Sequence, residues 1–529
     1  MTESETETKE LAPRGHVISL NMPTWGHTKS ACALLQKIVR QQPVYATLYT
    51  ATPLFEKVVK ELDTQFLPGI EDGLRNLIRV VALETSANPF DLTPLNEGFI
   101  NEYRKILDTA ESDTEPGPPQ LILLDFFLYG TLTKIREVSG DTIPIYALIS
   151  GSIATALSFF GPDGRFPQLV EELEAIPKTD KAVYAAEATK IYTRTEGKIK
   201  KLPGIPPMYD HELMPQKVSF TIKKLLGQFS LTCSTYRFQP FLTEYIVLML
   251  DHVLRFLREC DGAVTNSTYL FEGDAIRAFE EWFGGRPSIC PGPFDYPVIK
   301  QPQATDPTTV EVQKWLDSIL EKYGSGSLVY ISPGSQFWPS EPEKLWAILD
   351  VLIEQKVPFI LSHASPFAVI PDEIKEKIKS CGFGYSSNWL PQISILNHKA
   401  CGWMLTHAGQ NSITEALSAG VPMICWPFDA DQPVNAVYIA FVLNVGYELF
   451  EVRTDAGLRP VHRLGDRKPE GTVEAVKREF SETLEKMKGE DGAVKRANAR
   501  KLQSGFAQLW APDGENWKEI KKVTDILRE

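Results

Sequence analysis

The sequence predicts an α/β protein built from two doubly wound parallel sheets, one in each half of the chain. Three observations carry that expectation. Short apolar runs alternate with amphipathic stretches from the start: HVISL, a helical segment, YATLYTA, then FEKVVKEL. The same rhythm restarts with SLVYISPGS at 327–335, after the proline-rich PGPFDYPVIKQPQATDPTT at 291–309. A length of 529 residues exceeds what one core fills, which implies two domains.

Composition narrows the class. Hydrophobic residues at 43% and aromatics at 10% describe a globular chain. A net charge of −13 argues against nucleic acid or an anionic membrane surface as partner. The seven cysteines are scattered without a CxxC pair, which points to free thiols in a reducing compartment. The acidic start MTESETETKE lacks the basic and apolar parts of a signal peptide, and no stretch reaches the roughly 20 apolar residues of a spanning helix. A cytoplasmic protein without a transmembrane segment is expected.

In chain order, residues 1–13 read as a disordered tail and GHVISLNM at 15–22 as the first strand. PTWGH follows, leading into a helix expected from about Thr28 to Arg40. His27 therefore stands at the mouth of that helix, in the crevice where such folds bind ligands. A helix start disfavours imidazolium, so a neutral ring able to accept a proton is expected near pH 7. Asp125 closes the strand in PQLILLDFFLYG, where a carboxylate is costly to bury alone. An N–H of His27 would satisfy it and make a base with its orienting group. Capping of the following helix is the competing role.

IPIYALISGSIATALSFF at 143–160 reads as strand then helix, with Gly151 and Ser152 at the join. Residues 161–259 break the rhythm and read as extra helices over a cleft, with Phe229, Tyr236, Phe238 and Phe241 as aromatic candidates. His211 and His252 lack metal-ligand spacing and receive no role. GAVTNSTYLFEGDAI at 262–276 resumes strand and helix.

The second half opens with a helix through KWLDSILEKY. The strand SLVYIS then runs into a loop where Gly334 and Ser335 can offer N–H groups and Pro333 cannot. Another strand, in GFGYSSNWLPQ, ends at Trp389, a flat ring suited to stacking on a base. CGWMLT and VPMICW read as buried parallel strands. Between them HAGQNS opens into the helix SITEALSA, and the N–H groups at its start form an anion site. His407 just before it adds a hydrogen bond. The alternative is that Ser412 caps the helix and Glu415 completes a capping box. WPFDADQPVNA sets Asp431 and Gln432 at a further helix start, where they can meet several hydroxyls. Residues 484–505 read as one solvated basic helix, and FAQLWAPDGENWKEIKKVTDILRE closes the chain.

The stretch from Trp389 to Gln432 resembles the signature of the UDP-dependent glycosyltransferases, in the length that plant members have. The matching residues are W-x-P-Q at 389–392, T-H-x-G-x-N-S at 406–412, Glu415, G-V-P at 420–422, W-P at 426–427 and D-Q at 431–432. The resemblance implies the GT-B architecture: two Rossmann-like domains facing a cleft, with the last helix returning to the first domain. It implies that Trp389 stacks on uracil and the Gln392 region holds the base edge. His407, Gln410, Asn411 and Ser412, with Gly334 and Ser335, would meet the diphosphate. Glu415 would bind the ribose, and Asp431 with Gln432 the donor sugar. Gln410 departs from the tryptophan usual in plant members. GHTKS after His27 departs from their proline-bearing turn.

On the acceptor side the resemblance makes His27 and Asp125 the catalytic pair, with Trp25, Phe126, Ser152, Phe229 and Phe238 as acceptor contacts. The implied boundaries are an acceptor domain at 14–295 (variable over 161–259), a linker at 296–309, a donor domain at 310–505 and a returning helix at 506–529. The implied reaction is inverting transfer of glucose from UDP-glucose to a small apolar or phenolic hydroxyl compound, with no cofactor and no metal. A nucleotide-sugar epimerase or hydrolase on the same fold, or a non-catalytic binder, are the rivals.

Overall fold

A computed structural model of the chain describes residues 13–86, 91–108, 116–176, 187, 190–191, 194–216, 252–298, 307–335 and 337–527. The strands of the first half are β1 (His16–Leu20), β2 (Tyr45–Ala51), β3 (Ile78–Leu83), β4 (Leu121–Asp125), β5 (Ile145–Ile149), β6 (Ile199–Lys200), β7 (Met208–Tyr209), β8 (Gly262–Thr265) and β9 (Ser288–Ile289). Those of the second half are β10 (Leu328–Ser332), β11 (Phe359–Ser362), β12 (Gly384–Ser387), β13 (Cys401–Thr406), β14 (Met423–Cys425) and β15 (Gly446–Glu448).

They form a seven-stranded sheet in the order β3-β2-β1-β4-β5-β8-β9 and a six-stranded sheet in the order β12-β11-β10-β13-β14-β15. Both sheets are parallel throughout. A small antiparallel pair, β6 with β7, stands apart. The strand order reverses between β1 and β4 in the first sheet and between β10 and β13 in the second. Those are the switch points at which open α/β sheets leave a crevice.

Buried parallel strands need apolar residues on both faces, and the alternation along β4 shows how each face is used. Leu121 and Leu123 pack into one cluster with Ala31, Leu35 and Ile38 of helix α1 (Trp25–Gln41). Ile122 and Leu124 join the other cluster, with Phe99 and Tyr103. The helix α2 (Phe55–Thr64) adds Val58 and Leu62 to the α1 side. Beyond β5, helix α3 (Ile153–Phe160) faces the cleft.

In the second half, helix α4 (Gln410–Ser418) follows β13 and helix α5 (Gln432–Val437) follows β14. The last helix, α6 (Glu515–Ile526), buries Ile520 and Val523 in the α1 cluster. Asn516 donates to the Gly292 carbonyl at 3.0 Å and Trp510 Nε1 to that of Pro293 at 3.1 Å, so the chain end is tied to the first sheet.

Several expectations need adjusting. Helix α1 begins at Trp25, so His27 lies inside its first turn. The run 484–505 belongs to two helices, Val473–Lys488 and Glu490–Leu509, which meet at Gly489. A helix already begins at Pro307, inside the expected linker. The described part of 161–259 also behaves unlike a simple cover. Phe166 lines the cleft, but residues 194–216 dock on the second half. Glu212 there accepts the His462 N–H at 2.9 Å and pairs with Arg463, which also grips Glu448 with two bonds of 2.6 Å. All three side chains are buried, a geometry that holds the halves together at the back of the cleft.

Candidate functional site

A cavity of about 1620 Å³ lies between the two sheets, lined by residues from both halves. His27 and Asp125 meet at its first wall because β1 and β4 are neighbours at the switch point. His27 Nδ1 lies 2.7 Å from Asp125 Oδ2. The carboxylate is 1% exposed and also accepts the N–H groups of Met22 and Phe127, each at 3.2 Å. Asp125 is thus not a cap of the following helix, whose N-cap is Leu128 and carries no side-chain cap bond. With Nδ1 protonated towards Asp125, Nε2 is the ring's basic nitrogen.

Burial alone would lower the proton affinity of His27. The charge of Asp125 and the hydrogen bond to it, with Asp431 further off, outweigh burial and hold it above the ordinary value of 6.5. This corrects the expectation drawn from the helix start. The carboxylate wins because it is in direct contact and buried. The Ser150 hydroxyl at the end of β5, 3.2 Å from Nδ1, is a neighbour that sequence reasoning missed, although Ser150 directly precedes the flagged Gly151 and Ser152.

The same wall is rich in phenylalanine. Phe126 packs on Phe127 at 4.5 Å between centroids, and Phe127 stands edge-on to the His27 ring at 5.6 Å. Phe159 and Phe160 of α3 both stack on Phe166. Of the residues expected as acceptor contacts, Phe126 lines the cavity. Ser152 lies at the cavity, but its hydroxyl is committed to capping α3 through Thr155. Trp25 also lines the cavity, with Lys57 between it and Trp389, the ammonium 3.9 Å from one ring centroid and 4.3 Å from the other. Phe229 and Phe238, like Tyr236 and Phe241, lie outside the described residues.

The opposite wall comes from the loops after β10, β13 and β14. His407 is pressed between two glycines. A Cβ on Gly334, whose φ is +96°, would fall 2.7 Å from the imidazole, and one on Gly409 would fall 2.5 Å from it. Burial pushes the proton affinity of His407 down to about 4, so its ring is neutral and offers an uncharged hydrogen bond. Ala408 and Ala430, in the two loops that lead into α4 and α5, both hold positive φ, 66° and 58°. Such backbone costs energy without glycine and concentrates at sites that bind.

At the start of α4 the N-cap is Gly409, and neither Ser412 nor Glu415 forms the capping box that their spacing allowed. The first N–H, that of Gln410, donates to Asp431 Oδ2 at 2.9 Å. The N–H groups of Asn411 and Ser412 follow in the same first turn, where the helix supplies no acceptor. The side chains are turned away. Gln410 Nε2 donates to the Asn266 carbonyl at 3.0 Å, and Asn411 Nδ2 to that of Gly26 at 3.0 Å, both in the first half. The side-chain amides of Gln410 and Asn411 are thus taken by protein partners, and the backbone N–H groups at the start of α4 are what this turn offers an anion.

Further along α4, Glu415 pairs with Lys29 through Oε1 and accepts Gln392 Nε2 at 2.7 Å through Oε2. Tyr330 donates to Gln392 Oε1 at 3.0 Å. Gln392 thus uses its amide to orient that carboxylate. Trp389 is 54% exposed, its ring free to stack on the side away from Lys57. Asp431 also accepts Asn435 Nδ2 at 2.9 Å, and burial raises its proton affinity to about 6. Gln432 Oε1 accepts the Phe428 N–H at 2.9 Å and closes the loop, leaving the amide nitrogen as its donor. Ser335 lies at the cavity beside Gly334, and Phe337 packs over His407 and Phe428.

Among the described residues no group of three or more His, Cys, Asp or Glu is arranged to hold a metal ion, and no helix is long and apolar enough to cross a membrane.

Comparison with known proteins matches this arrangement. Residues 296–458 fit the family model described as UDP-glucoronosyl and UDP-glucosyl transferase. The chain is 27% identical to the UDP-glycosyltransferase eriJ of Hericium erinaceus, over 97% of this chain and 99% of that one. It is 38% identical to anthocyanidin 3-O-glucosyltransferase 7 of Manihot esculenta, over 37% of this chain and 65% of that one. The solved structure of Phytolacca americana UGT2, complexed with UDP-2fluoro-glucose and pterostilbene, aligns with 98% of this chain and 100% of its own. Its TM-score is 0.67 at 21% identity, a likeness of fold.

Proposed function

Since this chain belongs to the UDP-dependent glycosyltransferase superfamily, with its GT-B fold, we propose that it transfers glucose from UDP-glucose to a hydroxyl of a small apolar or phenolic acceptor. The observation that carries the reading is the His27–Asp125 contact of 2.7 Å, facing the donor signature across one cavity.

In this reading His27 Nε2 takes the proton of the acceptor hydroxyl as its oxygen attacks the anomeric carbon. Asp125 fixes the ring tautomer and stabilises the imidazolium that forms. UDP leaves from the face opposite the attack, so an α-linked donor yields a β-glycoside. The charge that grows on the diphosphate is met by the N–H groups of Asn411 and Ser412 and by the neutral His407. No metal is assigned a part. Trp389 stacks on the uracil, Glu415 takes the ribose diol, and Asp431 with the Gln432 amide nitrogen takes hydroxyls of the sugar.

A phenolic or similarly flat acceptor is supported by the phenylalanine wall around His27. The anthocyanidin glucosyltransferase relative points the same way. The free thiols at Cys32, Cys260, Cys290 and Cys425, all buried, suit a cytoplasmic enzyme.

The test is UDP release from UDP-glucose in the presence of pooled phenolic and aliphatic alcohols. Acceptor-dependent release that vanishes in His27→Ala is the expected result. Release that is equally fast without acceptor and survives the substitution would overturn transfer in favour of hydrolysis.

A further inference from the structure

The segment GHTKS lies within α1 and sends side chains across the cleft. Thr28 and Ser30 bond back to carbonyls of their own helix, Thr24 at 3.0 Å and Gly26 at 3.1 Å. Ser30 also donates to Asn411 Oδ1 at 3.3 Å. The side chain of Lys29, between them, reaches away from α1. Its ammonium group pairs with Glu415 of α4 and lies 4.0 Å from Asp295 Oδ1, so it bridges a carboxylate from each half of the chain.

The surroundings make this more than a surface pair. The side chains of Lys29, Glu415 and Asp295 are 11%, 7% and 3% exposed, and Asp295 Oδ2 is buried without a partner. Lys29 and Glu415 both line the cavity. Glu61 adds a further negative charge, while Lys57 and Lys37 sit on indole rings of Trp389 and Trp510. With Lys29 on Oε1 and Gln392 on Oε2, the carboxylate of Glu415 keeps lone pairs for two more donors. Two adjacent hydroxyls are such donors. Without Lys29, the buried carboxylates of Glu415 and Asp295 would lose the cation between them, beside the cavity that a dianionic nucleotide must enter.

We propose that Lys29 is a donor-positioning residue supplied by the acceptor half: it holds the Glu415 carboxylate in place and aimed for the ribose diol of a UDP-sugar, and so ties donor binding to the helix that carries His27. The proposal rests on Glu415 being the ribose ligand. Lys29 acts through that carboxylate, without touching the reacting atoms.

The experiment is calorimetric titration with UDP, and steady-state kinetics with UDP-glucose and a working phenol, on wild type, Lys29→Met, Lys29→Arg, Glu415→Gln and the Lys29→Met/Glu415→Gln double variant. Lys29→Met is expected to raise the UDP Kd and the donor KM by about tenfold or more, the size of one charge-assisted bond. The acceptor KM should stay in place, Lys29→Arg should recover most of the loss, and the double variant should be little worse than Glu415→Gln alone. An unchanged donor KM in Lys29→Met overturns the proposal. So does a parallel rise of both KM values that arginine fails to rescue, which would mark a packing role. Wild-type protein that fails to bind UDP would strike the ribose-site reading itself, a result distinct from UDP binding that Lys29→Met leaves untouched.

Discussion

On one wall of the cleft the polar groups that face the cavity are side chains. The His27 ring is held by a buried carboxylate and bordered by phenylalanines. On the other wall the side chains of Gln410, Asn411 and Gln392 are turned to protein neighbours, and the start of α4 presents backbone N–H groups. Both walls sit at the switch point of a parallel sheet, β1 beside β4 and β10 beside β13. The same crevice thus serves two uses. Proton transfer needs one particular side chain, whereas holding a diphosphate needs a backbone path that nothing obstructs. Single substitutions should accordingly fail in different ways on the two walls.

The sharpest break is His27→Ala. It should lower kcat by about 10²- to 10⁴-fold, the usual worth of a positioned base, while calorimetry finds UDP affinity near that of wild type. A loss of UDP binding as large as the loss of kcat would erase the division between the walls.

Asp125→Asn comes next and sharpens the electrostatic side. The base must be unprotonated, and its proton affinity lies above 6.5 because Asp125 outweighs burial. The acid limb of kcat/KM should therefore fall above pH 6.5 in wild type and move down once the charge is gone, at a much reduced kcat. Linkage has a definite sign as well. A raised folded-state value stabilises the fold fully below about pH 6.5 and fades as pH rises through it. The Tm gap between wild type and Asp125→Asn should be wider at acidic than at alkaline pH. A pH profile that does not move on substitution would remove Asp125 as the cause.

The donor wall should break by addition of atoms. Gly334→Ala and Gly409→Ala each drive a methyl group into the His407 ring, and the first also forces alanine into φ +96°. The donor KM should rise by about tenfold, equivalent to roughly 1.4 kcal/mol, with acceptor KM unchanged. An equal rise for the acceptor would mean that the loop shapes the whole cleft.

How much of this was legible follows the same division. The doubly wound sheets were readable because buried parallel strands such as LILL and CGWML announce themselves, and the donor signature because its loops follow those strands directly. The proximity of His27 to Asp125 required only that β1 and β4 be neighbours. What the sequence hid were choices between partners. Nothing in the spacing told whether Asn411 would face a phosphate or the Gly26 carbonyl, or that Lys29 would reach Glu415, since long-range pairing leaves no periodicity. Glu212 in HELMP looked like part of an irregular cover, and its docking on Arg463 depends on the shape of the far half. The direction of the shift at His27 was misjudged for a related reason: the helix-start argument was local, and the deciding carboxylate came from another strand.

The smallest predicted effect tests whether the donor wall is strained as well as bare. Ala430 holds φ 58° immediately before Asp431, whose carboxylate ties the start of α4 to Asn435 of α5. Ala430→Gly removes the Cβ that disfavours this conformation, but it also frees the unfolded chain, so stability should change by no more than about 1 kcal/mol. If the strain serves only to place Asp431, donor KM should rise slightly, because glycine lets the loop leave the geometry that alanine, once forced there, retains. Thermal melting and donor kinetics on the one variant separate the two terms. A more stable protein with an unchanged donor KM would mean that the left-handed alanine is a tolerated cost of the turn. A raised donor KM at equal or higher stability would mean that stiffness in this loop is part of how the wall recognises its sugar.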